Sequence, residues 1–294
     1  MHKRYPLSLV FYFAFFILST QIVLGQVTVV KNNVAATLAA RIAGNGIVVT
    51  NASLQCPTAA VGFFDENNVN LNLGAGVIMS TGDIDDVVGT GGFLGVTNAS
   101  TNNGAPGYGP LATIAGDDTF DRCILEFDLE ATSSQFKFEY IFASEEYPEF
   151  VTGNYNDAFA FFVSGPGIVG NQNIGLVPGT NDPVTIKTIN DVFPANVQFY
   201  IENNMPVTDF IYDGYTTVLQ TAPINVKPCS IYHMTLAIAD GGDGIYDSSV
   251  LIKENSLVSI GVDLDNPIVS GTLAGGRVYE QCDSAEFVFE ISQT

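Results

Sequence analysis

Four runs in this chain alternate apolar and polar residues with a period of two, and no other feature narrows the possible folds as much. Leu125, Phe127 and Leu129 alternate with Glu126, Asp128 and Glu130, and Phe136, Phe138, Tyr140 and Phe142 with Lys137 and Glu139. Val197, Phe199 and Ile201 alternate with Gln198, Tyr200 and Glu202, and Tyr232, Met234, Leu236 and Ile238 with His233, Thr235, Ala237 and Ala239. Period two places every second side chain on one side of an extended backbone, so each run is expected to be a strand with one buried face. The first two runs, separated by Ala-Thr-Ser-Ser, are expected to pair as a hairpin. Ala158 to Val163 is apolar at every position, which suits a central strand covered on both faces. Ile47 to Val49, the glycine-bounded run Gly74 to Gly82, and Ser248 to Ile252 supply further strands.

The expectation is an all-β, jelly-roll-like antiparallel sandwich with a short N-terminal amphipathic helix. Asn32 or Asn33 would cap that helix, Val34, Leu38 and Ile42 would form its buried stripe, and Gly44 would end it. The Gly, Asn and Thr stretch that follows Asp83-Ile-Asp-Asp86 and reaches Pro110 is expected to be a surface loop. Asn51-Ala-Ser53 and Asn98-Ala-Ser100 match the short glycosylation acceptor pattern.

The 294 residues are 47% hydrophobic and 14% charged, enough apolar surface to offset the entropy of ordering the chain. With 31 acids against 10 bases, the net charge is −21. Such a surface repels nucleic acid and anionic membranes and attracts cations.

The first 25 residues have the layout of a secretory signal. His2, Lys3 and Arg4 precede an apolar run from Leu7 to Leu18 that continues through Ile22, Val23 and Leu24 to Gly25. The mature chain is expected to begin at Gln26, with no stable membrane insertion after cleavage; the competing reading is an uncleaved anchor. Residues 26–260 read as one β-sandwich domain. From 261 to 294 a linker is expected, with Phe287-Val-Phe-Glu-Ile291 either starting a further β-module or returning a last strand to the sandwich. Export permits disulfides, and Cys56, Cys123, Cys229 and Cys282 allow three complete pairings among which the sequence does not choose. If Cys282 belongs to a second module, the sandwich holds an odd thiol or shares a bond across the boundary.

The chemistry concentrates in acidic clusters. Glu145, Glu146 and Glu149 follow one expected strand, Asn156 and Asp157 precede the next, and Asp240-Gly-Gly-Asp-Gly-Ile-Tyr-Asp247 interrupts two more. Carboxylates held together repel unless a cation, a basic partner or water compensates them, and basic residues are scarce. Glu145, Glu146, Asp157, Asp240, Asp243 and Asp247 are therefore the expected ligands of Ca2+, which takes six to eight oxygens and is well served by glycine-rich turns. Asp83, Asp85 and Asp86 could add ligands, though a solvated acidic turn fits their spacing better.

Paired carboxylates also serve glycoside hydrolysis, so a carbohydrate-active enzyme using Glu145, Glu146 and Asp157 is the competing function. The chain has no Trp to stack on a sugar; Tyr147, Tyr155, Tyr212 and Tyr215 are the available substitutes. Past the expected signal segment, a Ser-His-Asp triad has only His233 to draw on, and it sits inside a strand pattern. Neither a phosphate-binding glycine loop nor an HExxH motif is present.

Several segments in order carry a family resemblance: Leu125-Glu-Phe-Asp128, Phe142-Ala-Ser-Glu-Glu-Tyr-Pro-Glu-Phe150, Asn156-Asp-Ala-Phe159, Phe162-Val-Ser-Gly-Pro-Gly167, Asn173-Ile-Gly-Leu-Val-Pro-Gly179, Tyr212-Asp-Gly-Tyr-Thr216, Tyr232 to Asp240 and Asp247-Ser-Ser-Val-Leu251. Together they resemble the choice-of-anchor L domain over most of residues 32–260. The resemblance implies a secreted or outer cell-surface module of bacteria, often Bacteroidetes, joined to varied C-terminal sorting segments such as type IX secretion tails. It implies neighbouring domains of a larger surface protein as partners, with an extracellular glycan or protein as ligand, and no established reaction. The chain shows no anchoring tail, so a fragment or a truncated product is expected.

Overall fold

The alternating runs do become strands, in a computed structural model that describes residues 25–90, 95–192, 196–221 and 223–260. The expected signal segment, apart from Gly25, and the expected linker and module at 261–294 lie outside the described residues. The strands are, in chain order, β1 (Thr28–Lys31), β2 (Ile47–Gln55), β3 (Val61–Asp65), β4 (Ala75–Ser80), β5 (Thr119–Ala131), β6 (Gln135–Lys137), β7 (Glu139–Ser144) and β8 (Ala158–Ser164). There follow β9 (Gln172–Asn173), β10 (Tyr200–Glu202), β11 (Gly214–Thr216), β12 (Leu219–Gln220), β13 (Ile224–Asn225), β14 (Ile231–Gly241), β15 (Ser248–Lys253) and β16 (Val258–Ile260). Two helices join them, α1 (Ala35–Ile42) and α2 (Gly109–Ala115).

The larger sheet runs β1-β3-β4-β15-β7-β11-β10, with β12 also paired to β7; the second runs β2-β5-β14-β8-β9. A small third sheet, β13-β6-β16, closes one side. The pairings within these sheets are antiparallel, so the fold is an all-β sandwich.

Register explains the core. In the second sheet Leu54, Leu125, Leu236 and Phe161 fall in one cross-strand row, and Cys123, Ile238 and Phe159 in the next but one. In the larger sheet Val61, Met79, Val250 and Phe142 form a row, as do Phe63, Val77, Ile252 and Tyr140. Nearly all of these residues are buried in one cluster between the sheets. Aromatic rings interlock there, Phe138 against Phe161 at 4.5 Å and Tyr140 against both Phe159 at 5.2 Å and Phe161 at 4.9 Å. Each such ring, fully withdrawn from water, contributes about 1.5–3 kcal/mol.

The outer faces are covered as well, which is why β8 and β15 read as continuous apolar runs. Ile78, Ile141, Ala143 and Leu251 pack beneath Leu71, Leu73, Phe210 and Tyr212. On the opposite side Ala158, Ala160, Ala237 and Ala239 admit α2 close to the strands, where it buries Leu111 and Ala115. Helix α2 takes only the last two residues of the expected loop, Gly109 and Pro110. Pro110 stands in its first turn and Gly116, at φ 82°, closes its end, a pairing suited to short helices.

The expected hairpin does not form. Strand β5 pairs with β2 and β14, whereas β7 pairs with β15, β11 and β12, so the chain crosses from one sheet to the other between Ala131 and Gln135. Leu125, Phe127 and Leu129 thus face Phe136, Phe138 and Tyr140 across the core instead of lying beside them. The expected strand at Val197 to Ile201 is also shorter, a 3-10 turn occupying Val197–Phe199 before β10. Helix α1 starts later than its expected caps, with Val34 at the cap position and the Asn32 side chain accepting from the Val34 amide at 3.0 Å.

Cys56, just after β2, is bonded to Cys123 in β5. No cysteine among the described residues is free, Cys229 included, so the expected odd thiol is absent there; Cys282 lies outside the described residues. Truncating Phe161 to Ala should destabilise the domain by about 3–5 kcal/mol, because it opens a cavity among the rings of Phe138, Tyr140 and Phe159; urea unfolding measures this, and a change below about 1 kcal/mol would contradict the packing described.

Candidate metal centre

Antiparallel pairing brings the acidic segments to one end of the sandwich. Ser144 at the end of β7 lies opposite Ser248 at the start of β15, and Ala158 at the start of β8 lies opposite Ala239 near the end of β14. Glu145 and Glu146 therefore leave the larger sheet where Asp247 enters it, while Asp157 enters the second sheet beside Asp240. The Glu145 amide donates to the Asp247 carbonyl at 3.1 Å. Asp157 ties the two sheets together: its Oδ1 accepts from the Gly241 amide at 3.0 Å and its Oδ2 from the Ser248 hydroxyl at 2.7 Å.

A strap over this end supplies further donors. Backbone amides of Ala99 and Thr101 reach Glu145 Oε1 at 3.1 Å and Asp247 Oδ2 at 2.8 Å, and those of Asn103 and Ala105 reach the two oxygens of Asp121 at 3.2 and 2.8 Å. Gly82 leaves room for the Asp247 carboxylate, since a Cβ there would stand 1.8 Å from its Oδ2.

Five of the six expected ligands are buried: Glu145 and Glu146 are 2% exposed, and Asp157, Asp240 and Asp247 are 1% exposed. Asp243 stands at the half-buried rim, its Oδ1 taking the Ile245 amide at 3.1 Å. Asp83 and Asp85 lie apart, both paired with Lys31, as a solvated acidic turn would be. Asp86 accepts from the Thr101 hydroxyl at 2.6 Å.

The donors do not suffice. Glu145 Oε2, Glu146 Oε2, Asn156 Oδ1, Asp247 Oδ1 and both oxygens of Asp240 are buried without a hydrogen-bond partner. Elsewhere among the described residues only the Tyr140 and Tyr200 hydroxyls share that condition. An ionised carboxylate stripped of water and unpaired costs several kcal/mol, so such a group takes up a proton or a cation. Burial accordingly pushes Glu145 up to about 8, opposed by the Ala99 amide and reinforced by Asp213 and Asp247. Burial pushes Asp247 up to about 7 against the Thr101 amide. Glu146, Asp157 and Asp240 are raised by burial and then by one another or by nearby Asp243 and Asp247.

Among the described residues no group of three Asp, Glu, His or Cys side chains is already assembled as a metal-binding set. An ion would have to draw the free oxygens inward by side-chain rotation. For a glycan the arrangement offers little, since Glu145, Glu146 and Asp157 are buried; of the tyrosines expected to stack on sugar, Tyr147 and Tyr212 are core residues and Tyr215 is buried.

Asp121 and Asn156 belong to this end and were not among the expected ligands. The signal for Asp121 is weak: it lies two residues before Cys123, but its φ of 50° and the bulge of β5 against β14 break the alternation there. The strap carries no such signal, because it acts through backbone amides.

With no cation bound, the native state holds protons on these groups that the unfolded chain has already released. Stability should then fall as pH rises from about 4 to about 8, the interval between ordinary carboxylate values and the raised ones. Melting temperatures measured in chelator across that interval check this, and a rising profile would contradict it.

The defining pattern of the Choice-of-anchor L domain matches residues 26–258, and neither a curated protein nor a solved structure matches the chain. No helix among the described residues is long and apolar enough to cross a membrane. The family suggests a surface or extracellular module, in keeping with an all-β domain that carries a disulfide. By the extent of that match, the chain belongs to the Choice-of-anchor L domain family.

Proposed function

We propose that this domain is a noncatalytic, secreted or cell-surface module whose sandwich is fastened by Ca2+, and that it serves adhesion or the display of neighbouring modules in a larger exported protein. One observation carries the calcium reading: six buried acceptor atoms without partners gather where four long strands end or begin. Glu145, Glu146, Asp157, Asp240 and Asp247, with Asp243 at the rim, would supply the oxygens; the ion would supply the positive charge that the scarce basic residues do not. Calcium suits the site better than Mg2+, because it accepts irregular sets of six to eight oxygens and gives up water readily. A support of this kind acts through stability, so no reacting group has to be open to solvent.

Two measurements test it. Saturating Ca2+ should raise the melting temperature by about 5–10 °C over chelator, as expected for an ion at roughly a hundred times its dissociation constant; no change would remove the ion from the reading. Asp240→Asn should behave oppositely in the two conditions. It removes a carboxyl group whose burial costs either an unpaired charge or the uptake of a proton and so raises stability in chelator, while the increment gained from Ca2+ shrinks by at least half.

A further inference from the structure

The six acidic positions need not share one ion, and the strand register separates them. Ser144 is paired with Ser248 on one side and with Gly214 on the other. One residue further out, Asp247, Glu145 and Asp213 therefore stand in a single row across three adjacent strand ends. Phase decides which face they use. Tyr140, Phe142, Val250 and Ile252 point between the two sheets, whereas Ile141, Ala143, Leu251 and Tyr215 point to the outer face. Asp247, Glu145 and Asp213 share the phase of the second set. The strap confirms the side, since Ala99, whose amide holds Glu145, is buried in the outer cluster.

Asp157 and Asp240 have the other phase. They continue the rows of Phe159 and Ile238, which face the space between the sheets, and the inward-phased Ser248 donates to Asp157; a bulge in β5, with Asp121 at φ 50°, breaks the alternation there. Ca2+ holds its oxygens at 2.3–2.6 Å, so ligands of one ion lie within about 5 Å of each other. Carboxylates on opposite faces of a sheet do not meet that limit.

We infer that the acidic end contains two cation sites, one on each face of the larger sheet, and that Asp213 joins Glu145 and Asp247 in the outer one. Beyond the cluster itself, the outer site is marked by Glu145 Oε2 and Asp247 Oδ1, both buried, both without partners. Asp213 is exposed, which gives a hydrated ion its way in. Glu149, also exposed, lies close enough to act electrostatically on Glu145 and Asp213. The outer ion would fasten the strap and three strand ends to one another; the inner ion would join the two sheets.

This inference rests on the calcium reading above, and its test keeps the two apart. Equilibrium dialysis against radioactive Ca2+ should give two ions per chain, and Tb3+ bound at the outer site should be sensitised by the nearby Tyr212 and Tyr215. Asp213→Asn, at an exposed position, should weaken one of the two ions by about tenfold or more and dim the Tb3+ signal. Asp240→Asn should remove the other ion and leave that signal in place. One ion per chain, or two that are both indifferent to Asp213→Asn, would overturn the outer site while the calcium reading stands. No bound ion at all would overturn both.

Discussion

Buried negative charge without enough positive charge is the condition on which the rest of this structure turns. The sandwich could close its end with apolar side chains, as it does along most of its length. Instead Glu145, Glu146, Asp157, Asp240 and Asp247 fill that end, and the strap contributes backbone amides that satisfy only some of their oxygens. A fold that conceals so many carboxylates is either protonated or held by a cation at neutral pH. The surrounding core, with interlocked rings between the sheets and covered outer faces, is what makes the concealment possible.

The same condition ties the acidic end to the family's expected setting. A surface module experiences an oxidising, calcium-bearing medium, and the bond from Cys56 to Cys123 fits the first of these. The bond links β2 to β5 near the strap's anchor at Asp121, so a covalent link and the proposed ionic one secure adjoining parts of the same end. Neither requires catalysis, and burial keeps Glu145, Glu146 and Asp157 from contact with a bulky substrate.

Much of this was legible before any coordinates. Period-two alternation located β5, β7 and β14, and the glycine-bounded run located β4, because a strand's side chains report its buried face directly. Alternation does not report the partner. Leu125 to Leu129 and Phe136 to Phe142 both announce a buried face, yet whether two such strands lie side by side or across the core depends on the turn between them, and Thr-Ser-Ser permits either. The candidate ligands were visible as clusters, while Asp121 was hidden by the bulge that breaks the alternation of β5 and Asp213 by its lone position. Asp213 gains meaning only from register, since nothing local to Asp213-Gly-Tyr places it opposite Glu145.

The order of strands has a further consequence for how the domain comes into being. β15, among the last strands along the chain, is the middle of the larger sheet, seated between β4 and β7. About 170 residues of chain separate β4 from the partner it needs, so that half of the sheet has no neighbour until residues 248–253 are available. Such distant pairing makes for slow assembly and a long-lived open chain. Under the proposed export, a keystone laid late would be an advantage: the chain would stay pliable through passage and lock only after nearly all of the domain had emerged.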